Sequence, residues 1–422
     1  MNAKKTANPF RLKKRVLKEC AIYQMLLSAS KKRHISFHTP GHKLGKFDLT
    51  ELSFSDNLSS PNGVIKRAQE DIARILGGYA SFILTDGSTS GVLSMLYAAR
   101  ECGVRSIAVS PYSHKSVANG CKLLGLAMLP EQSSEADALF ITSPDYYGKI
   151  ADLKEISKKC RKTEKLLLVD GAHGGHLHFD REVYAGAYAD LWVDGVHKSL
   201  PAYTQGAVVS ARTAELAEKL SAGVDIFRTT SPSYPIMASV EYAVKYPRNE
   251  RLEERVAKLF AEYPDVLSFQ GDWTKVCVAV GNQAFEVQKE LEEKGVYAEF
   301  CDGENLLFYL SPATTKKQFS VLKNLLKKLS QTVEKEQKST PAPLFMEQDG
   351  KKEWVKIENA VGRVCAKPCG LFPPCIPLFL QGEILTAEKI ERLQNAPHSF
   401  GLKDGKICVY KEREGETEHE NG

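Results

Sequence analysis

Between residues 80 and 210, short apolar runs alternate with longer and more polar stretches. Phe82-Ile83-Leu84, Ile107-Ala108-Val109, Ala138-Leu139-Phe140-Ile141, Leu166-Leu167-Leu168-Val169, Leu191-Trp192-Val193 and Ala207-Val208-Val209 predict strands. None keeps a strict polar–apolar alternation. Both faces of each strand are therefore expected to be buried, as in a mainly parallel sheet covered by helices. Intervening segments such as Leu153 to Cys160 have the length and charge of crossover helices. The pattern is that of an α/β layer sandwich.

After Pro235 the pattern changes. Helices are expected over Arg251 to Tyr263, Gln283 to Lys294 and Lys316 to Val333, and strands over Val276 to Val280, Val296 to Phe300 and Leu306 to Leu310. These make a smaller α+β unit. Gln337 to Pro343 is polar and carries two prolines, the composition of a linker. A Pro- and Gly-rich module around Gly370 to Glu383 follows, and the final residues, 411–422, have no apolar anchor and are expected to fray. The expected organisation is an N-terminal arm (1–45), a large domain (46–235), a small α+β domain (236–336) and a C-terminal domain with a disordered tail (337–422).

Composition narrows the class. The 422 residues are 43% hydrophobic, 26% charged and 9% aromatic, the balance of a globular protein of two or three domains. Lys and Arg total 57 against 52 for Asp and Glu, and a net +5 spread over the whole chain argues against a nucleic-acid partner. No apolar run approaches the ~18 residues of a membrane span. The basic start has no apolar stretch behind it, so no secretory signal is expected. The 10 cysteines are scattered, which suits reduced thiols and a cytoplasmic protein. An enzyme is the expectation.

Ligands of open α/β sheets gather at the carboxyl ends of the strands, and three polar clusters occur there. Thr85-Asp86-Gly87-Ser88-Thr89-Ser90-Gly91 follows the first run. Glycines and small hydroxyl residues entering a helix can cradle a phosphate, because free N–H groups and the helix dipole face the anion; a plain helix cap is the competing reading. Asp170 closes the Leu166–Val169 run and begins Asp170-Gly171-Ala172-His173. A carboxylate there is costly unless a positive group meets it, and the protonated nitrogen of a pyridine cofactor would do so. His197-Lys198-Ser199 follows the Leu191–Val193 run and puts an amine where a Schiff base could form.

Two metal readings compete. His173, His176 and His178 have a loop spacing that suits zinc, but no carboxylate or Cys joins them at a motif spacing. Cys365, Cys369 and Cys375 lack a paired C-x-x-C and read as buried small hydrophobes. No metal is expected.

From about His34 to Tyr410 the chain resembles the pyridoxal-phosphate-dependent Orn/Lys/Arg decarboxylases in their short bacterial form, of the aspartate-aminotransferase fold (fold type I). The resemblance rests on His38-Thr39-Pro40-Gly41-His42-Lys43, Asp48-Leu49-Thr50-Glu51-Leu52, Gly87-Ser88-Thr89, Ser113-His114-Lys115-Ser116, Asp170-Gly171-Ala172-His173-Gly174 and His197-Lys198-Ser199-Leu200. It continues through Thr230-Ser231-Pro232-Ser233-Tyr234-Pro235 and Phe372-Pro373-Pro374-Cys375-Ile376-Pro377 with Gly382-Glu383, the mark of the family's C-terminal domain.

The resemblance implies that Lys198 holds pyridoxal 5'-phosphate as a Schiff base and that Asp170 pairs with the pyridinium nitrogen. It implies that His114 stacks on one ring face, with Ala172 on the other, and that His173 lies near the phenolic oxygen or the substrate carboxylate. Gly87, Ser88, Thr89 and His197 would bind the phosphate, joined by Thr230 from a partner subunit in a homodimer or larger homo-oligomer. Lys198 or His197 would return the proton after CO2 leaves. The implied activity is decarboxylation of lysine, arginine or ornithine to the amine, with Glu383 and Asp302 as candidate readers of the head group. Other chemistry on the same cofactor, aminotransferase-like, and a non-catalytic paralogue are the alternatives. The chain departs from the family's pattern at Gly195 (usually Ser), Pro111 (usually Arg), Asp86 (usually Asn), Gly171 (usually Glu) and Cys375 (usually Gly).

Overall fold

A computed structural model describes residues 13–32, 35–43, 47–110, 113–331, 350–371, 376–379, 381–396 and 398–411. His34, Pro111, the 337–343 segment, Phe372 to Cys375 and the chain beyond 411 lie outside the described residues. The chain divides into two compact units. The first comprises 1–258, 269–274 and 310–316; the second comprises 259–268, 275–309 and 317–422.

The first unit is built on a seven-stranded sheet: β1 (Ala80–Leu84), β2 (Ser106–Val109), β3 (Ala127–Pro130), β4 (Ala138–Thr142), β5 (Leu166–Gly171), β6 (Leu191–Asp194) and β7 (Ala207–Ala211), in the order β1-β7-β6-β5-β4-β2-β3. The five strands from β3 to β6 are parallel, whereas β7 runs antiparallel to both β6 and β1. All six expected strands form. β3 escapes the pattern because it is an edge strand of mostly exposed residues.

Helices α1 (Lys14–Glu19), α2 (Ala21–Ser30), α3 (Val64–Leu76), α4 (Ser88–Glu101), α5 (Lys115–Leu124), α6 (Leu153–Lys162), α7 (Ala185–Tyr188), α8 (Val196–Ser199), α9 (Ala214–Phe227) and α10 (Tyr234–Val244) complete it. Two apolar layers explain the unbroken runs. Ile83, Leu167, Val169, Trp192 and Val208 pack with residues of α2, α3 and α10, while Leu84, Leu168, Leu191, Val193, Ala207 and Val209 pack with those of α4, α5 and α9. Successive side chains on a strand point to opposite faces, so a sheet covered on both sides needs every position apolar.

Small residues bring α4 hard against the sheet. A Cβ on Gly91 would lie 2.6 Å from Val193 Cγ2, and one on Gly223 of α9 would lie 2.8 Å from the Ser94 carbonyl oxygen. Helix starts are chemically marked: Asp152 caps α6 by accepting the Glu155 N–H at 3.0 Å, and Asp56 accepts four backbone N–H bonds ahead of and within the first turn of α3.

Helix α11 (Glu250–Glu262) follows in sequence. The second unit holds an antiparallel sheet in the order β10-β11-β9-β8, from β8 (Leu267–Ser268), β9 (Lys275–Ala279), β10 (Phe300–Cys301) and β11 (Asn305–Tyr309), with α12 (Ala284–Glu293) and α13 (Lys316–Leu329). The strand expected over Val296 to Phe300 starts only at Phe300, because residue-for-residue pairing with β11 covers just Phe300 and Cys301. Its remaining elements are β12 (Lys352–Lys356) paired with β16 (Lys406–Tyr410), the sheet of β13 (Cys369–Leu371), β14 (Ile376–Phe379) and β15 (Ser399–Phe400), and α14 (Ala387–Asn395). Among the described residues no helix is long and apolar enough to cross a membrane.

Candidate active site

The carboxyl ends of β1, β5 and β6 bring the sequence clusters together. Asp170, near the end of β5, is 3% exposed, and its Oδ1 accepts the Ala172 N–H at 3.0 Å. The turn that follows carries the buried His173. Its Nε2 lies 3.1 Å from Lys198 Nζ, on the short helix α8 that follows β6. With Lys198 as an ammonium, which can only donate, Nε2 accepts and Nδ1 carries the ring proton.

His114, the N-cap of α5, accepts the Ser116 N–H through Nδ1 at 3.2 Å. Its ring is open to solvent at one side but crowded by protein elsewhere. That crowding lowers its pKa; the Asp170 charge opposes the shift and Lys198 adds to it. Both groups therefore lie near enough for their charges to act on His114. His197 is held from behind: its N–H and Nδ1 each lie 3.0 Å from the Gly206 carbonyl, so Nδ1 bears the proton. Desolvation lowers the His197 pKa, against the Gly206 hydrogen bond.

The α4 start discriminates between cap and cradle. Gly87 is the N-cap, with φ +78°, and among the described residues no side chain caps the helix. The first-turn N–H groups of a 14-residue helix are thus left without a side-chain acceptor. The buried Ser88 Oγ has no hydrogen-bond partner among the described residues. Opposite it, a Cβ on Gly195 would lie 3.0 Å from Ser88 Oγ and only 2.3 Å from the Ala172 carbonyl oxygen. Ser88, Gly195 and Ala172 therefore meet at one point. Uncapped amides, an orphaned hydroxyl and glycine backbone suit the phosphate of a pyridoxal cofactor, and Lys198 and Asp170 suit its aldehyde and ring nitrogen. The residues fit the group.

Other residues singled out from the sequence have partners of their own. Asp86 turns its carboxylate to the Thr229 N–H, at 3.0 Å, and its charge acts on the buried Arg228; the exposed Thr230 is the next residue, on the same chain. Ser199 Oγ is buried and accepts the His176 N–H at 3.2 Å. The HGGHLH histidines diverge. His173 meets Lys198, His176 Nε2 bonds Asp272 Oδ1 at 2.9 Å, and His178 Nδ1 donates to the Gly175 carbonyl at 2.7 Å. In the second unit Glu383 pairs with Lys389. Asp302 there accepts the Glu304 and Asn305 N–H groups and has Arg392 beside it, so both acids are engaged locally.

Two site residues carry no expectation from sequence. Tyr146 sets its ring edge-on to His173, with centroids 5.0 Å apart; nothing in Ser143-Pro144-Asp145-Tyr146 announces that direction. Asp194, at the end of β6, is 1% exposed and accepts the Tyr184 hydroxyl at 2.6 Å. Its signal was present, since it closes an apolar run as Asp170 does.

The chain is similar to known proteins in sequence and fold. Residues 126–266 match the family model described as Orn/Lys/Arg decarboxylase, major domain. The chain is 27% identical to the uncharacterized protein YaaO of Bacillus subtilis (strain 168), over 93% of this chain and 99% of that protein. It is 26% identical to an arginine decarboxylase of the same organism, over 88% and 92%. The constitutive lysine decarboxylase of E. coli superposes with a TM-score of 0.71 at 18% identity, over 94% of this chain and 82% of that one. With its mainly parallel sheet and one reversed strand, the chain has the fold of these decarboxylases, fold type I of the pyridoxal-phosphate enzymes, and its residues 126–266 are similar to the major domain of the Orn/Lys/Arg decarboxylase family.

Proposed function

We propose that the protein is a pyridoxal 5'-phosphate-dependent decarboxylase of a basic amino acid, lysine, arginine or ornithine, and that it works in the cytoplasm as a homodimer or larger homo-oligomer. The observation that carries this reading is the Lys198–His173 contact beyond the strand ends, with Asp170 bonded to the Ala172 N–H and the orphaned Ser88 hydroxyl at the α4 start meeting Gly195 beside Ala172. The arginine decarboxylase relative and the lysine decarboxylase fold neighbour support the same substrate class. When bound, the cofactor supplies an electron sink for the pair released as CO2 departs.

Each residue of the chain has a task. Lys198 is the amine that would hold the cofactor covalently. Asp170 would meet the ring nitrogen and keep it protonated, since a buried carboxylate favours a cation beside it. The N–H groups at the start of α4 and the Ser88 hydroxyl, with Gly87, Thr89, His197 and Thr230 around them, would take the phosphate. His114 and Ala172 would line the two ring faces. His173 orients the Lys198 amine through the 3.1 Å contact and is itself steadied by Tyr146. Lys198 and His197 are the groups available to return a proton to the product.

The test is chemical. Borohydride reduction followed by peptide mapping should place the pyridoxyl group on Lys198, and Lys198→Ala should release no CO2 from any of the three amino acids. A label on another lysine would overturn the assignment.

A further inference from the structure

Asp170 and Asp194 end adjacent strands, with Asp170 opposite Val193 and Gly171 opposite Asp194 in the β5–β6 register. Asp194 is 1% exposed. Its Oδ2 accepts the Tyr184 hydroxyl at 2.6 Å, and that hydroxyl accepts the Trp192 indole N–H at 3.1 Å. Its buried Oδ1 has no partner among the described residues, and lies 3.3 Å from where a Cβ on Gly171 would stand. Gly171, one of the departures from the family's pattern, thus makes room for this acid.

The charged and titratable groups around Asp194 are few. Tyr184 faces it from the start of α7, and Asp170 from β5. Behind the Tyr184 ring lie the Arg181 guanidinium, at 5.7 Å, and the His178 ring, at 6.4 Å. No ion pair to Asp194 forms among the described residues. An ionised carboxylate buried with so little compensation is costly, and a second carboxylate on the next strand raises the cost further. Asp170 accepts the Ala172 N–H, and its charge acts on His114. Burial accordingly pushes Asp194 up to about 7, with Asp170 adding to the shift and Tyr184 and Trp192 opposing it.

We propose that Asp194 is a positioning residue that holds a proton behind Asp170, so that one negative charge backs the ring-nitrogen site when the proton is present and two when it leaves. The cofactor half of this statement rests on the site reading given above; the proton half does not. Ionised Asp194 favours the cationic form of any pyridine bound at Asp170, so wild-type affinity for such a ligand, relative to a variant without this carboxyl, gains with rising pH.

Infrared difference titration of the cofactor-free protein reads the proton directly. A protonated-carboxyl carbonyl band should be present at pH 6 and fade with an inflection at about 7. Asp194→Asn should lack it. Tyr184→Phe, which removes the hydroxyl that stabilises the ionised form, should move the inflection to higher pH, and it decides the question if the Asn variant does not fold. No such band in wild type, or an inflection unmoved in both variants, overturns the proposal. Pyridoxamine 5'-phosphate then tests the coupling: the ratio of wild-type to Asp194→Asn affinity should rise on the order of tenfold between pH 6 and 8, the ligand's own titration cancelling. A flat ratio beside a normal infrared inflection refutes the positioning role. If wild type takes up no cofactor at all, the site reading fails, while the infrared result still decides where the proton is.

Discussion

Replacing Gly195 with the serine usual in the family separates two accounts of this loop. In one, a phosphate hydroxyl has been lost and Gly195→Ser restores it. In the other, glycine is required by what stands beside it. Gly195 has φ −81° and ψ 74°, so its backbone does not itself demand glycine. The obstacle is contact: a new Cβ would lie 2.3 Å from the Ala172 carbonyl oxygen and 3.1 Å from its carbon, both backbone atoms that cannot swing aside. Overpacking of this kind costs about 1–3 kcal/mol, which is a fall in Tm of roughly 2–12 °C at about 2–4 °C per kcal/mol. The displaced Ala172 carbonyl drags its neighbour His173 with it, so the 3.1 Å contact to Lys198 should loosen and turnover should fall. Gly195→Ala carries the same Cβ without the hydroxyl and should lose the same Tm. Thermal melts of the cofactor-free proteins and fluorescence titration with pyridoxal 5'-phosphate measure both effects. An unchanged Tm with tighter cofactor binding in Gly195→Ser would refute the steric account.

Asp170→Asn keeps the shape and the acceptor for the Ala172 N–H but removes the charge, so CO2 release should fall at least about 1000-fold with the melting curve unchanged; near-normal turnover would make Asp170 structural only. Ser88→Ala deletes a buried hydroxyl without a partner, so the cofactor-free protein should be as stable or more so. Its cofactor affinity should drop by about 1.5–3 kcal/mol, roughly 10- to 150-fold, and unchanged affinity would remove Ser88 from the phosphate site. Burial lowers His178 to about 4, opposed by its bond to Gly175, with His176 and Arg181 adding to the shift. The folded state then binds fewer protons than the unfolded chain between pH 6.5 and 4, so the stability is present above the unfolded pKa and lost as pH falls; about 3 kcal/mol is the ceiling. Chemical denaturation of wild type and His178→Asn across that range should show a steeper acid loss in wild type, and parallel curves would contradict the assignment. Asp194, shifted the other way, contributes with opposite sign: its stabilisation is complete below its unfolded pKa and disappears as pH rises to about 7.

Much of the first unit was readable along the chain because a sheet buried on both faces leaves uninterrupted apolar runs. Leu167 and Val169 serve one core layer and Leu168 the other, so no polar position breaks the run. The same logic made the ends of those runs informative, since a charge or glycine placed directly after a buried strand must answer to something. That is how Asp170, His173 and Lys198 stood out before any coordinates. Exposure hides elements just as burial advertises them. Edge strand β3 pairs on one side only and keeps its residues exposed, so nothing in Ala127-Met128-Leu129-Pro130 demanded a strand. Strand direction is equally invisible, because the alternation of side chains has no sense along the chain; only hydrogen bonding to β1 and β6 reverses β7.

What the tertiary structure alone decided is partnership. His176 and Asp272 are 96 positions apart and Asp86 and Thr229 are 143 apart, distances over which residue spacing carries no geometric information. Asp86 stands where the family usually has Asn, and folding brings the Thr229 N–H from a distant loop to its carboxylate. Gly195 stands where the family usually has Ser, and the approach of the Ala172 carbonyl makes it a position with no room for a Cβ. Residue type and strand end specify which chemistry is possible at a place. Which atom meets which is set by loops returning from distant parts of the chain, and by the desolvation that follows when they close over a carboxyl such as that of Asp194.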